Sequence, residues 1–200
     1  LLKSSGISVI SHLEAVLPHS DIATIAWIPD FQHCHLPELF SIEEINARNK
    51  AFFDLIKMCD TVIVSSYDAK KDFLKFSTDY IDKAEVLQFV VPVNNEILEY
   101  NAEFILKKYG IDKKFFYLPN QYWAHKNHKI VLEALSILKQ QNKDVLVVSS
   151  GNSGDYRNDE YFSSITEYIK DKQLEESFKI LGKIPYQDVK ILSEECLAFI

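Results

Sequence analysis

The sequence predicts an α/β fold built on parallel sheets, and three observations predict it. Short apolar runs of β type alternate with longer helical patterns along all 200 residues. Most of those runs are rich in Val, Ile, Leu and Phe without strict alternation, as in strands buried on both faces of a parallel sheet. Hydrophobic residues make up 47% and charged ones 26%, the balance of a folded globular chain rather than a disordered one. Strand–helix–strand alternation then implies right-handed βαβ units and open sheets.

The elements follow in order. Ile7–Ile10 is a weak first strand and Ile22–Ile28 a clear second one. Ser41, with Glu44 three residues on, forms a capping-box pattern that opens a helix over Ile42–Met58. Thr61–Ser65 is the next strand, Ser66 caps a helix over Tyr67–Phe76, and Glu85–Val91 follows as a strand. Ile97–Tyr109 reads as a helix stopped by Gly110. The polar turn Gly110, Asp112, Lys113, Lys114 sets off a fresh strand, Phe115–Leu118, and places a division there, giving α/β halves at 1–112 and 113–200. The second half continues with helices at Lys126–Gln141, Asp159–Lys172 and Tyr186–Glu194, and strands at Asp144–Ser149, Phe178–Leu181 and Leu197–Ile200. The chain begins at Leu1 rather than Met and stops inside the apolar run Cys196–Ile200. Both halves are therefore expected to be incomplete, the middle of a longer protein.

Charge and composition exclude several classes. With 22 basic against 29 acidic side chains and a formal charge of −7, the chain lacks the basic excess of a nucleic-acid binder. No apolar run approaches the roughly 18–20 residues of a membrane span. Three cysteines without CxxC spacing argue for a reducing compartment and against a disulfide framework, and no secretory signal opens the chain.

In open parallel sheets ligands bind outside the carboxyl ends of the strands. Pro29–His35, Ser65–Asp68, Pro119–His128, Ser149–Gly154 and Gly182–Pro185 occupy those positions, and two of these loops hold four of the six histidines. Lys126 falls at the start of the helix running to Gln141. A helix start offers unpaired N–H groups and a partial positive charge, so lysine and helix together suit an anion.

The run Trp27-Ile28-Pro29-Asp30-Phe31-Gln32-His33, followed by Leu36-Pro37-Glu38 and Phe40-Ser41, resembles the acceptor-domain segment of bacterial group 1 retaining glycosyltransferases. Phe116 to His128 is similar to the first strand, loop and helix of their nucleotide-sugar domain, and Thr61–Ser66 and Leu181–Val189 carry weaker likenesses in the same order. The resemblance implies a GT-B fold, two Rossmann-like domains facing each other across a cleft. One domain binds the acceptor and the other an activated sugar. It implies that Lys126 is the family's phosphate-binding lysine. Gln121 stands where the family usually has an arginine, supplying a hydrogen bond without charge. Asp30 or His33 would be the group presented to the reacting sugar. The family's Glu-x7-Glu segment would follow soon after Ile200, so these residues alone are expected not to catalyse transfer.

Those implications give an expected function: transfer of a sugar from a nucleotide-diphospho-sugar to a glycan or lipid-linked acceptor hydroxyl, in cell-surface polysaccharide assembly. The alternative is a non-catalytic sugar-nucleotide or glycan binding module of the same fold. Asn120, Trp123, His125, His128 and Gly182 are the candidates to line the cleft. His125 and His128, three apart at a helix start, share a face and either line it or cap and pack. His33, Cys34 and His35 lack metal-site spacing, and neither a metal nor a cofactor is expected beyond the nucleotide sugar as substrate. Ser149–Gly154 reads as a plain βα loop, and without GxGxxG an NAD enzyme is disfavoured. The expected location is cytoplasmic, with peripheral association at the inner membrane face left open.

Overall fold

The computed structural model describes residues 2–17, 21–90, 101–155 and 157–200. The chain forms two compact units, Leu1–Pro92 and Val93–Ile200. This division falls ahead of the 112/113 boundary expected from the turn residues, because the helix before that turn packs into the second unit.

In the first unit, β1 (Val9–Leu13), β2 (Ala23–Ile28), β3 (Thr61–Val64) and β4 (Ala84–Val86) form a parallel sheet in the order of the sequence. β2 and β3 pair from Ile25 opposite Thr61 to Ile28 opposite Val64. With no reversal of strand order, right-handed crossovers put successive helices on one face. β2 shows this: Ala26 and Ile28 are fully buried while Ile25 and Trp27, which alternate with them, are only half covered. The helices are α1 (Gln32–His35), α2 (Ile42–Met58) and α3 (Tyr67–Phe76). The expected capping box opens α2, with Glu44 N–H donating to Ser41 Oγ and Ser41 N–H to Glu44 Oε2. At its other end the Lys83 ammonium donates to the carbonyls of Ile56, Lys57 and Cys59, which helix geometry leaves without partners. Ser66 Oγ accepts from Ala69 N–H and caps α3.

The second unit is wound in both directions. β5 (Phe115–Leu118), β6 (Leu146–Ser149) and β7 (Phe178–Ile180) run parallel in that order. The chain then returns to the free edge of β5, where Phe199 pairs parallel with Tyr117 and Leu197, Ala198 and Ile200 exchange backbone hydrogen bonds with Phe115 and Tyr117. The last expected strand is therefore present as a short pairing. A helix layer covers each face. α5 (His128–Gln140) and α6 (Tyr161–Asp171) bury Leu132, Leu135, Ile165 and Ile169 against Leu118 and Val147. α4 (Ala102–Lys108) and α7 (Tyr186–Glu195) bury Ile105, Ile191 and Leu192 against Tyr117 and Val148. All four residues of β6 are buried, which explains their unbroken apolar pattern. Asp188 of α7 ties the two helices of that layer together by accepting from the Lys108 ammonium and the Tyr109 hydroxyl. Burial alone would raise the Asp188 carboxyl; those two donors outweigh it and hold it below the usual range.

The expected helix over 97–109 starts at Ala102 behind its N-cap Asn101, with 97–100 outside the described residues. Of the expected strand over 85–91 only Glu85 and Val86 belong to β4, 87–90 being irregular and Val91 outside the described residues. Among the described residues no helix is long and apolar enough to cross a membrane. Cys34 is exposed, Cys196 half-buried and Cys59 buried, and all three are free. Replacing the capping hydroxyl in Ser41→Ala should lower stability by about 1 kcal/mol, read as a lower urea midpoint at unchanged slope.

Candidate functional site

A strand flanked by neighbours whose connections lead to opposite faces marks a crevice at its carboxyl end. In the second unit that strand is β5, and the loop leaving it is 119–127. The loops after β5, β6 and β7 are joined there. A Cβ on Gly151 would lie 2.2 Å from the Asn120 carbonyl oxygen, so only glycine lets the β6 loop press onto Asn120 and Gln121. Gly151 N–H donates to the Gly182 carbonyl at 2.9 Å, and Tyr122 N–H to that of Asn152 at 2.9 Å. Asn120 and Gly182 are thereby brought together around Gly151, and Gln121 is exposed beside them. The buried hydroxyls of Ser149 and Ser150 hold those of Tyr122 and Tyr117, which gives this loop start a packing role.

Lys126 is not in the first turn of the long helix. It ends a 3-10 turn, Ala124–Lys126, and the left-handed Asn127 (φ 50°) separates it from α5. Its side chain is exposed, and none of the hydrogen bonds or ion pairs among the described residues uses its ammonium. The N–H groups expected to await an anion are occupied. The His128 N–H donates to the Tyr161 hydroxyl at 2.9 Å and the Ile130 N–H to the Asn127 carbonyl. The cation is therefore available, but the amides at the start of α5 are already partnered.

His125 and His128 do not share a face, because Asn127 breaks the helix between them. His128 is fully buried and stacks on the Tyr122 ring at 4.3 Å between centroids, so it lines no cleft. Among the described residues neither of its ring nitrogens finds a partner in good hydrogen-bond geometry. Burial, aided by the Lys126 charge, outweighs the nearby Asn120 backbone and pushes its pKa down to about 4. Tyr122 beside it is pushed up to about 12 by the same burial. His125 stays half-buried, 5.6 Å from the Trp123 ring, with Nδ1 3.3 Å from Arg157 Nη2.

No pattern in the sequence marks the pair that holds this turn. Asp155, 3% exposed, accepts from Ala124 N–H at 3.1 Å and from the Arg157 backbone and Nε at 3.1 and 3.3 Å. Burial opposes its ionisation, but those donors and the guanidinium charge prevail and keep the carboxyl below the usual range. The guanidinium lies 5.3 Å from the Trp123 ring centre, and Trp123 Nε1 donates to the Gly154 carbonyl at 3.2 Å.

In the first unit the strand-end loops also form a site. Asp30 is exposed and its Oδ1 accepts from Gln32 N–H, starting α1. His33 is 1% exposed, donates to Asn49 Oδ1 at 2.9 Å and sits among Phe40, Phe52 and Phe76. His33 and Asp30 are thus not brought together on the surface. The exposed imidazole is His35, whose Nε2–H donates to Asp72 Oδ2 at 2.7 Å. Burial would raise Asp72, but His35 and Lys75 hold it below the usual carboxylate range. A cavity of about 360 Å³ opens between Pro29, Asp30, Gln32, His35, Ser66 and Asp68. A larger one of about 680 Å³ is lined by Cys34, His35, Asn49, Phe53, Asp72 and Lys75.

The sequence profile of the group 1 glycosyl transferases matches residues 101–200, half of the chain. The chain belongs to that family. No curated protein matches it in sequence. Among solved structures, a glycosyltransferase from Rickettsia africae ESF-5 superposes with a TM-score of 0.69 at 16% identity, over 99% of this chain and 52% of that one. HepE from Anabaena, in a complex with UDP and glucose, gives 0.68 at 15% identity, over 89% and 46%. Sucrose-phosphate synthase from Thermosynechococcus elongatus gives 0.63 at 12% identity, over 90% and 44%. This glycosyltransferase chain therefore spans about half the length of the structures it resembles, and its two Rossmann-like units with parallel sheets are of the GT-B class.

Buried His128 gives the glycosyltransferase chain a pH signature. In the unfolded chain its pKa is near 6.5, so below that value the unfolded state takes up a proton that the folded state refuses until about pH 4. Stability is complete above pH 6.5 and falls between 6.5 and 4, by about 3 kcal/mol at roughly 1.4 kcal/mol per pH unit. Urea midpoints across that range should show the slope in the wild type and lose it in His128→Phe.

Proposed function

We propose that the protein carrying this chain transfers a sugar from a nucleotide-diphospho-sugar to a hydroxyl of a glycan or lipid-linked acceptor, in the assembly of cell-surface polysaccharide. The observation that carries the reading is the exposed Lys126 on the loop leaving β5, in the unit matched by the family profile. Anabaena HepE, of like fold, has been crystallised with UDP and with UDP-glucose, which supports a nucleotide sugar as donor.

In this mechanism Lys126 stabilises the charge that grows on the departing nucleoside diphosphate. Its effect is electrostatic and greatest in the transition state, since the already anionic diphosphate gains further charge as its bond to the sugar breaks. Gln121 adds a hydrogen bond, and the reading calls for neither metal nor cofactor. Trp123, His125, Asn120 and Gly182 shape the same loop cluster. On the acceptor side Asp30, exposed at the rim of the 360 Å³ cavity, is the carboxylate that meets a sugar hydroxyl. His33 serves from behind, packing the short helix that Asp30 starts.

The alternative, a binding module without turnover, draws on one observation: the neutral Gln121 in place of an arginine. The readings separate on the full-length protein. Thermal-shift screening against UDP, GDP, ADP and dTDP sugars should identify the donor nucleotide, and turnover of that donor marks the enzyme. Lys126→Ala should lower kcat/KM about 100-fold. Unchanged turnover of every donor would remove Lys126 from the mechanism. Gln121→Arg should tighten nucleoside diphosphate binding several-fold, and more at low salt than at high.

A further inference from the structure

We propose that Asp155 and Arg157 are positioning residues that set the turn carrying Lys126. The proposal rests on the reading of Lys126 as the donor-diphosphate cation and adds the device that aims it.

Each residue of the turn ahead of Lys126 is fixed to the segment 154–157. Trp123 gives its indole N–H to the Gly154 carbonyl, Ala124 gives its backbone N–H to Asp155 Oδ2, and His125 offers Nδ1 to Arg157 Nη2. An arginine can only donate, so Nδ1 of His125 accepts and its other ring nitrogen carries the proton. Lys126 N–H then closes the turn on the Trp123 carbonyl at 2.8 Å. The side chains of Asp155 and Arg157 are 1% and 10% exposed. A buried ion pair is a poor source of stability, since its desolvation cost rivals its attraction. What it does supply here is geometry, because one carboxylate bridges two loops with bonds of fixed direction. Without it, a short 3-10 turn followed by a left-handed residue would leave the lysine free to explore orientations. Aligning a cation in advance removes that ordering cost from the moment of reaction. Arg157 acts through Trp123 and His125 rather than by offering free charge, because Asp155 neutralises it.

A double-mutant cycle on the full-length protein tests this, using the nucleoside diphosphate of UDP, GDP, ADP and dTDP that gives the largest thermal shift. Asp155→Asn keeps the shape of the side chain and removes its charge. In the presence of Lys126 it should weaken binding of that diphosphate about ten-fold, and in a Lys126→Ala background it should change binding less than two-fold. Arg157→Lys provides a second variant if Asp155→Asn does not fold, and the same pattern is expected. Subtracting the spectrum of the matching Trp123→Phe protein isolates the emission of Trp123, which should shift in both variants before any ligand is added. Equal weakening with and without Lys126, or an unchanged Trp123 spectrum, would overturn the positioning role while leaving the donor reading intact. If no diphosphate binds, or Lys126→Ala binds as tightly as wild type, the donor reading itself falls and this proposal with it.

Discussion

The fold of the second unit turns on the pairing of β5 along both edges. Its edges are hydrogen-bonded to β6 on one side and to residues 197–200 on the other, and helix layers close both faces. A strand so placed has no free edge to offer a ligand, and its one half-buried residue, Phe116, faces an apolar cavity of about 380 Å³ that suits no charged group. Its carboxyl end is the remaining outlet, and the backbone there must either find partners or meet a substrate. Gly151, Gly182, Asn152 and Asp155 satisfy part of that backbone, and what they leave exposed is Gln121 and Lys126.

The two units solve the same covering problem differently. In the first, strand order follows chain order and the helices bury one face of the sheet, so β2 and β3 alternate between buried and half-buried residues. In the second, the return to β5 buries both faces, and β6 loses alternation altogether. The first unit's cavities lie beside α1, between the chain leaving β2 and α3. One turn of helix decides which histidine serves which purpose there. His33 and His35 are two residues apart, about 200° around a helix, so if one enters the phenylalanine cluster the other must leave it.

Most of this architecture was legible in the sequence because hydrophobic pattern and capping chemistry are local. Ser41 with Glu44 and Ser66 fixed the starts of α2 and α3 to the residue, and Phe115–Leu118 could be delimited from its aromatic run alone. The candidate site was less legible, since its geometry depends on departures from regularity. Nothing in the residue type of Asn127 demands the left-handed conformation, yet that single φ moves Lys126 off the helix and turns His128 into the core. Asp155 and Arg157 lie 29 or more residues beyond the turn they hold, in a stretch that reads as an ordinary loop. A long-range ion pair leaves no periodicity to detect.

The electrostatics of the cluster follow from which cation is paired. Arg157 is the more buried and its charge is spent on Asp155; Lys126 is exposed and keeps its own. Arg157 is therefore no replacement for a missing arginine at Gln121, although both bring nitrogen donors to the same group of loops. The helix start makes up little of the difference, because the Tyr161 hydroxyl takes the His128 N–H and the Asn127 carbonyl takes that of Ile130. With the His128 and Ile130 amides and the guanidinium engaged, the proposed function leaves the attraction for a leaving diphosphate to one flexible side chain, Lys126. A point charge on a four-carbon stem acts at a defined place only if its root is held still. The role proposed for Asp155 meets that requirement: a buried carboxylate, costly by itself, holds the turn through the Ala124 N–H.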